Sequence, residues 1–163
     1  MIEVFKMVKH CTRERITKVV RCCGEMYEYV RKFEAPKSMR DDQVMKYRGL
    51  RHLDCGRNME ITNTWVRKMK EMRWLDCAYN DSIMDEGIRE MKKMIHLYCN
   101  DDTTDLGIRE MKEMRYLECG INANITDEGI REMKEMRYLE CSCGGNITDE
   151  GIREMRELQH CVL

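Results

Sequence analysis

The chain has 163 residues, of which 36% are charged and 42% are hydrophobic, a balance typical of one globular domain rather than a disordered segment. A single proline excludes Pro-rich segments, and the formal net charge of −1 gives no general attraction to nucleic acid or to an anionic membrane. The sequence holds no apolar run of the roughly 18–20 residues that a membrane span needs, and no signal-peptide apolar region. These features predict a cytoplasmic protein that binds neither nucleic acid nor membrane.

The first part of the chain, residues 1–40, is basic and lacks the pattern of the rest. It carries ten Lys and Arg against five Asp and Glu, a net charge of +5, whereas residues 41–163 carry nineteen against twenty-five, a net charge of −6. Apolar residues in this segment, such as Val4 and Val8, recur at helical spacing. We therefore expect an N-terminal basic helical cap over residues 1–40, which covers the first unit of the array that follows.

Residues 41–163 repeat a segment of about 22 residues. The stretch Ile125–Cys141 reads ITDEGIREMKEMRYLEC, and it recurs with drift at Ile83–Cys99 and Ile61–Cys77. About six units can be counted. One cysteine marks each of five units, at steps of 22, 22, 20 and 22 residues: Cys55, Cys77, Cys99, Cys119 and Cys141. This regular spacing indicates a repeated core position rather than a disulfide framework.

Each unit combines two apolar periodicities. Ile130, Met133 and Met136 are three residues apart, which suits one face of a short helix. Leu139 and Cys141 are two residues apart, which suits the inward face of a strand. Each unit is therefore predicted to be a short strand, a turn and a short helix, stacked so that the strands form a parallel sheet.

This pattern resembles the leucine-rich repeat, L-x-x-L-x-L-x-x-N/C-x-L, which is written here as M-x-x-L-x-C-x-x-N in Met114, Leu117, Cys119 and Asn122. The resemblance implies an α/β leucine-rich-repeat solenoid: a short curved parallel β-sheet with helices on the convex side. It also implies an N-terminal cap, for which a set of F-box-like adaptor helices is the alternative interpretation. The turn-binding asparagine of the family, counted three residues after each cysteine, is assigned to Asn58, Asn80, Asp102, Asn122 and Gly144.

Strand residues between the core positions alternate to the concave face of the predicted sheet, where they form three columns. The first column is His52, Trp74, His96, Tyr116, Tyr138 and His160. The second is Asp54, Asp76, Tyr98, Glu118, Glu140 and Val162. The third is Arg57, Tyr79, Asp101, Ile121 and Cys143. The predicted partner-binding residues are those of the first two columns other than His160 and Val162, together with Tyr79.

Aromatic residues are enriched at protein interfaces, and an acidic column favours a partner with a basic segment. Duplication offers an alternative explanation, because near-identical copies produce columns without any selection for binding. Trp74 and Tyr79 lie in a diverged unit and are nevertheless aromatic, which favours a binding surface.

Catalytic and metal chemistry find little support in the sequence. A linear column of cysteines cannot supply the four converging ligands that zinc needs, so these thiols are expected to pack as small hydrophobes. Cys143 is expected to face outwards and to be the most reactive thiol. The sequence has no nucleophile with an orienting partner, no glycine-rich phosphate loop and no HExxH motif. We therefore expect no enzyme activity, no bound metal and no cofactor.

The function predicted from these residues is protein–protein interaction through the concave face of the repeat sheet. The alternative is a structural component of a larger assembly, such as a virion particle, docked through an uncapped C-terminal end. The second hypothesis includes self-association, because the apolar side chains of Leu158, Cys161 and Leu163 would have no cover there.

Overall fold

The computed structural model describes residues 32–47, 49–122, 124–141 and 146–163. Seven strands lie in chain order in one parallel sheet: β1 (Lys32–Glu34), β2 (His52–Asp54), β3 (Trp74–Asp76), β4 (His96–Tyr98), β5 (Tyr116–Glu118), β6 (Tyr138–Glu140) and β7 (His160–Val162). One helical turn connects each strand to the next: α1 (Asp41–Val44), α2 (Asn63–Val66), α3 (Asp85–Ile88), α4 (Asp105–Ile108), α5 (Asp127–Ile130) and α6 (Asp149–Ile152). This architecture confirms the predicted α/β leucine-rich-repeat solenoid.

The first strand lies inside the segment that was predicted to be a helical cap. β1 pairs in register with β2, and the Ala35 N–H donates to the carbonyl of Asp54 at 2.7 Å. Phe33 aligns with Leu53 of β2, so it occupies the leucine position of the repeat without the repeat's sequence. The sheet therefore begins before residue 41. The rest of the predicted cap, residues 1–31, lies outside the described residues.

The core lies between the sheet and the helices. In the five strands β2 to β6 the middle leucine is buried and the two flanking residues are half-buried. The cysteine that follows each of these strands is buried as well. Burial of one large apolar side chain contributes about 1.5–3 kcal/mol, so stacking the units supplies the stability that one unit lacks.

The methionines that follow each helix are buried, but they are not helical. α5 ends at Ile130, and the chain continues in successive turns: Met133 N–H donates to the Ile130 carbonyl at 2.9 Å, and Met136 N–H donates to the Met133 carbonyl at 3.2 Å. The prediction that Ile130, Met133 and Met136 share one face of a short helix was therefore wrong, because the helix ends at Ile130. The three-residue spacing of apolar side chains reflects consecutive tight turns, which place every third side chain in the core.

A ladder of buried asparagines joins the loops of successive units. The side-chain amide of Asn80 donates to the carbonyl of Asn58 in the preceding loop, while its Oδ1 accepts from the Ser82 N–H at 3.0 Å. The same role belongs to Asn100 in the next loop, whose Nδ2 donates to the carbonyls of Asn80 and Ile83 at 2.8 and 2.6 Å.

The assignment of this role to Asp102 was wrong, because Asp102 is exposed and Asn100 is buried. The unit is two residues shorter than its neighbours, and the shortening falls between the cysteine and the asparagine. Thr103 takes the place of the usual isoleucine, and its hydroxyl donates to Asn100 Oδ1 at 2.9 Å. Gly144, to which the sequence pattern assigned this role in the fifth unit, lies outside the described residues.

A second ladder joins the helix N-termini. Thr104 caps α4 by accepting from the Leu106 N–H at 3.2 Å. Its own N–H and hydroxyl donate to the carboxylate of Asp85 in the preceding unit, at 2.9 and 2.6 Å. The Thr-Asp pair of the repeat thus caps one helix and clamps it to the next. Among the described residues, no helix combines the length and the apolar character that crossing a membrane requires.

Candidate partner-binding face

The residues on either side of the middle position in strands β2 to β7, together with Glu34 of β1, form the face of the sheet opposite the core, which we call the open face. They are half-buried in β2 to β6 and exposed in β7, as is Glu34. In-register pairing aligns them in two rows. The aromatic row is His52, Trp74, His96, Tyr116, Tyr138 and His160. The acidic row is Glu34, Asp54, Asp76, Tyr98, Glu118, Glu140 and Val162. The first two predicted columns therefore exist as rows. Glu34 was missed, because its strand has no repeat motif to mark it.

Most rings of the open face stack on or tilt against a ring of a neighbouring strand. Tyr116 and Tyr138 stack with ring centroids 4.1 Å apart, and Tyr138 stacks on His160 at 4.4 Å. His52 and Trp74 are farther apart, at 6.3 Å. Rings stacked within these ranges pack against each other and restrict each other's rotation, as expected for offset or stacked aromatic pairs.

Tyr98 interrupts the acidic row and joins it to the aromatic row. Its ring centroid lies 5.7 Å from that of Trp74 and 5.0 Å from that of Tyr116, and both pairs are tilted. Since the three residues belong to three successive strands, they form an aromatic patch at the centre of the sheet. We call Trp74, Tyr98 and Tyr116 the central aromatic patch.

Hydrogen bonds fix the carboxylates on both sides of this patch. Asp54 Oδ1 accepts from the Gly56 N–H at 3.2 Å, and Asp76 Oδ1 accepts from the Ala78 N–H at 3.0 Å. On the other side, the hydroxyl of Tyr116 donates to Glu118 at 2.9 Å, and that of Tyr138 donates to Glu140. The acidic row is therefore preorganised, which lowers the entropy lost when a ligand binds it.

The surroundings of the open face shift the pKa values of several of its side chains. Burial, with the nearby carboxylates of Asp54 and Glu118, raises the pKa of Asp76 above its usual range. Burial likewise lowers the pKa of His96, aided by His52 and Arg115. Burial and the hydrogen bonds of its hydroxyl raise the pKa of Tyr116, so this hydroxyl stays protonated at physiological pH.

Ion pairs among the described residues lie away from the acidic row. They join residues of the helices, of the turns beside them and of the position before β5: examples are Lys93–Glu71 at 2.8 Å and Arg115–Glu135 at 2.7 Å. None of these ion pairs includes Asp54, Asp76 or Glu118. The carboxylates of Asp54, Asp76 and Glu118 therefore lie on the open face outside these ion pairs.

The third predicted column lies on the loops beside the sheet. The guanidinium of Arg57 lies over the ring of Tyr79, with 5.1 Å between Cζ and the ring centroid. Both residues have positive φ values, 60° and 57°, and Tyr79 is 63% exposed. Arg57 and Tyr79 are neighbours in this predicted column, but only Tyr79 was among the predicted binding residues. Cys143 lies outside the described residues.

The thiol column packs in the core. Cys77 Sγ donates to the Tyr98 carbonyl at 3.4 Å, and Cys119 and Cys141 bring their sulfur atoms within 2.9 Å of each other. Burial raises the pKa of Cys77 well above its usual value, which keeps this thiol protonated. In the described part of the chain, no three or more His, Cys, Asp or Glu side chains are arranged to hold a metal ion.

Comparison with known proteins finds the fold in solved structures only. No protein-family model and no curated protein match the chain. An internalin (InlF) from Listeria monocytogenes is similar in structure, with a TM-score of 0.59 at 14% identity over 80% of this chain. Internalin C2 (InlC2) from the same species gives a TM-score of 0.52 at 12% identity over 86% of this chain. This chain spans 39% of the length of InlF and 76% of that of InlC2.

Proposed function

We propose that this leucine-rich-repeat chain is a protein-interaction module that binds a protein partner through the open face of its sheet. The observation that carries the proposal is that each of strands β2 to β6 contributes one ring to the aromatic row, with a carboxylate beside it on every one of these strands except β4. When a partner covers half-buried aromatic side chains, the free energy of the complex falls because apolar surface leaves the water. Rings that are already ordered lose little entropy on binding.

Enzyme activity is not part of this proposal. A catalytic site needs a nucleophile or base and stabilising groups that converge on one point, whereas the side chains of the open face lie in parallel rows. His96 lies beside Tyr116, with ring centroids 5.6 Å apart, and within the described part of the chain no hydrogen bond to a carboxylate orients it as a base. The internalin similarity supports the fold on which this function is proposed, and the contacts of the open face support the place of binding.

The test is capture of a partner from source lysate under reducing conditions. The full chain is compared with Trp74→Ala/Tyr116→Ala/Tyr138→Ala, which removes three rings of the open face. The matched control, Met59→Ala/Met84→Ala/Leu106→Ala, removes three exposed apolar side chains outside the strands. We expect the wild type and the control to capture the same partner and the ring variant to lose it. The three proteins should have equal thermal stability. Equal recovery by all three proteins would contradict the proposed face.

Assembly through the C-terminal strand stays a prediction. All three residues of β7 are exposed, and Val162 and Leu163 are 40% and 45% exposed. Sedimentation of the purified full chain over a range of concentrations measures whether this strand pairs with a second copy.

A further inference from the structure

We propose that the open face binds an extended basic segment of its partner, with two Arg or Lys residues four positions apart and an apolar residue midway between them. This inference rests on the proposed function and names the chemistry of its partner. The feature that carries it is the central aromatic patch with a carboxylate pair on either side: Asp54 and Asp76 on β2 and β3, Glu118 and Glu140 on β5 and β6.

The spacing follows from the sheet. Neighbouring strands lie about 4.8 Å apart, so the midpoints of the two carboxylate pairs, three strands apart, are separated by about 14 Å. An extended segment advances about 3.3–3.4 Å per residue, and its side chains alternate between two faces, so residues i and i+4 point the same way about 13–14 Å apart. A segment that crosses the strands can therefore seat one cation at each pair.

The residue midway between the two cations meets the central aromatic patch. Tyr98 lies on β4, between the two pairs, and its ring approaches Trp74 and Tyr116. The side chain of residue i+2 points to the same face as i and i+4, so it lies against these rings. An apolar or aromatic residue there would bury surface that is half-exposed in the free chain.

The negative charge of the open face favours a partner segment that carries positive charge. Burial is the main cause of the raised pKa of Asp76, and the like charges of Asp54 and Glu118 add to it. A cation between the first pair would relieve that repulsion. Tyr and Trp rings attract Arg and Lys as well, which adds cation–π attraction beside each pair. A segment with acidic side chains at these positions would meet like charges and be excluded.

The experiment uses the full chain and two labelled nine-residue peptides of identical composition, rich in Thr to favour the extended form. One has arginines at positions 3 and 7 with Leu at 5, and the other has arginines at 3 and 6, which point to opposite faces. Fluorescence anisotropy at low salt gives the two affinities. We expect the first peptide to bind about tenfold more tightly, and added salt to weaken it. Equal affinities of the two peptides would overturn the proposed spacing of four residues between the two cations.

Paired amide variants test the residues. Asp54→Asn/Asp76→Asn and Glu118→Gln/Glu140→Gln each remove one pair and keep oxygen acceptors for the backbone and tyrosine donors. The control, Glu90→Gln/Glu110→Gln, removes two exposed carboxylates that pair with Lys70 and Lys92. We expect either pair variant to abolish the peptide preference and the control to retain it. A preference that survives both pair variants would overturn the proposal.

The two proposals fail in different ways. If the ring variant loses a captured partner and neither arginine peptide binds, the open face remains the proposed binding site. The proposal that the partner presents a basic segment is then overturned. If the first peptide binds but the ring variant still captures the partner, the partner does not bind at the open face. The carboxylate pairs then account for peptide binding only.

Discussion

The carboxylate of Asp105 receives two hydrogen bonds from Thr126 of the next unit, one from its N–H at 2.8 Å and one from its hydroxyl at 2.7 Å. Thr126 in turn accepts from the Glu128 N–H at 3.2 Å and so caps α5. Asp105 also occupies the space beside Gly129, where a Cβ would lie 2.9 Å from its Cγ. The recurring T-D-E-G-I segment is therefore an inter-unit clamp, in which the glycine makes room for the aspartate of the preceding unit.

Gly129→Ala is expected to destabilise the protein by about 1–3 kcal/mol, because the new methyl group would overlap the Asp105 side chain and lie 3.2 Å from its Cα. Helix propensity alone predicts the opposite sign, since alanine is favoured over glycine by about 1 kcal/mol inside a helix. Urea unfolding measures the difference. In an Asp105→Ala background the same substitution should lose less stability, and an equal loss in both backgrounds would show that Asp105 is not the obstacle.

The asparagine ladder gives a second prediction. Asn100→Ala leaves the carbonyls of Asn80 and Ile83 without their donor and removes the acceptor for the Thr103 hydroxyl. We expect a loss of about 2–3 kcal/mol in the free energy of unfolding, as for buried polar groups left unsatisfied. The matched control is Asp102→Ala, two residues away on the same loop and exposed.

Thermal and urea unfolding of the two variants compare the positions directly. Asp102→Ala should change stability by less than about 0.5 kcal/mol, as surface substitutions do. If Asp102→Ala proved as harmful as Asn100→Ala, the ladder would pass through a different side chain from the one that the structure places there.

The sequence predicts this fold well because one physical constraint repeats. Each unit of the solenoid must place one leucine in the core, as Leu53 and Leu75 do. These leucines therefore recur in the sequence with a period of about 22 residues. The rows of the open face follow from the same register. β1 escaped prediction because Phe33 and Ala35 satisfy the core positions with residues outside the motif.

Other features depend on local geometry that the spacing does not record. Counting from Cys99 assigned the asparagine site to Asp102, but a shortened loop brings Asn100 there instead. The contact between Arg57 and Tyr79 arises from left-handed backbone at both residues, a conformation that these residue types seldom adopt. The ring and carboxylate contacts of the open face depend on side-chain directions, which the pattern leaves open.

The core thiols should resist alkylation. Burial raises the pKa of Cys77, and only the thiolate reacts, whereas Cys161 is exposed. Treatment with iodoacetamide followed by peptide mass spectrometry should show Cys161 modified at least about a hundredfold faster than Cys77 in the native protein. In denaturant the two rates should converge. Rapid native modification of Cys77 would mean that the cysteine column opens to solvent.

Asp76 links stability to binding through its raised pKa. Because the folded state disfavours its charge, the carboxylate destabilises the protein above that pKa. The penalty shrinks as pH falls through the raised pKa and is gone below the pKa of the unfolded state. Asp76→Asn should therefore raise the melting temperature at pH 7, and the difference from wild type should shrink with acidification. Glu71→Gln is the control of opposite sign, since Lys93 lowers the pKa of that exposed carboxyl, and it should not raise the melting temperature.

The same group should set the pH dependence of peptide binding. A cation seated between Asp54 and Asp76 favours the charged carboxylate, so binding lowers the pKa of Asp76 and releases a proton near that pKa. Affinity for the arginine peptide should fall as pH drops through the raised pKa, and calorimetry in buffers of different ionisation enthalpy should detect the released proton. Asp76→Asn should abolish both effects while it stabilises the fold. Retention of the proton release in this variant would assign the titration to another residue and contradict the role of Asp76.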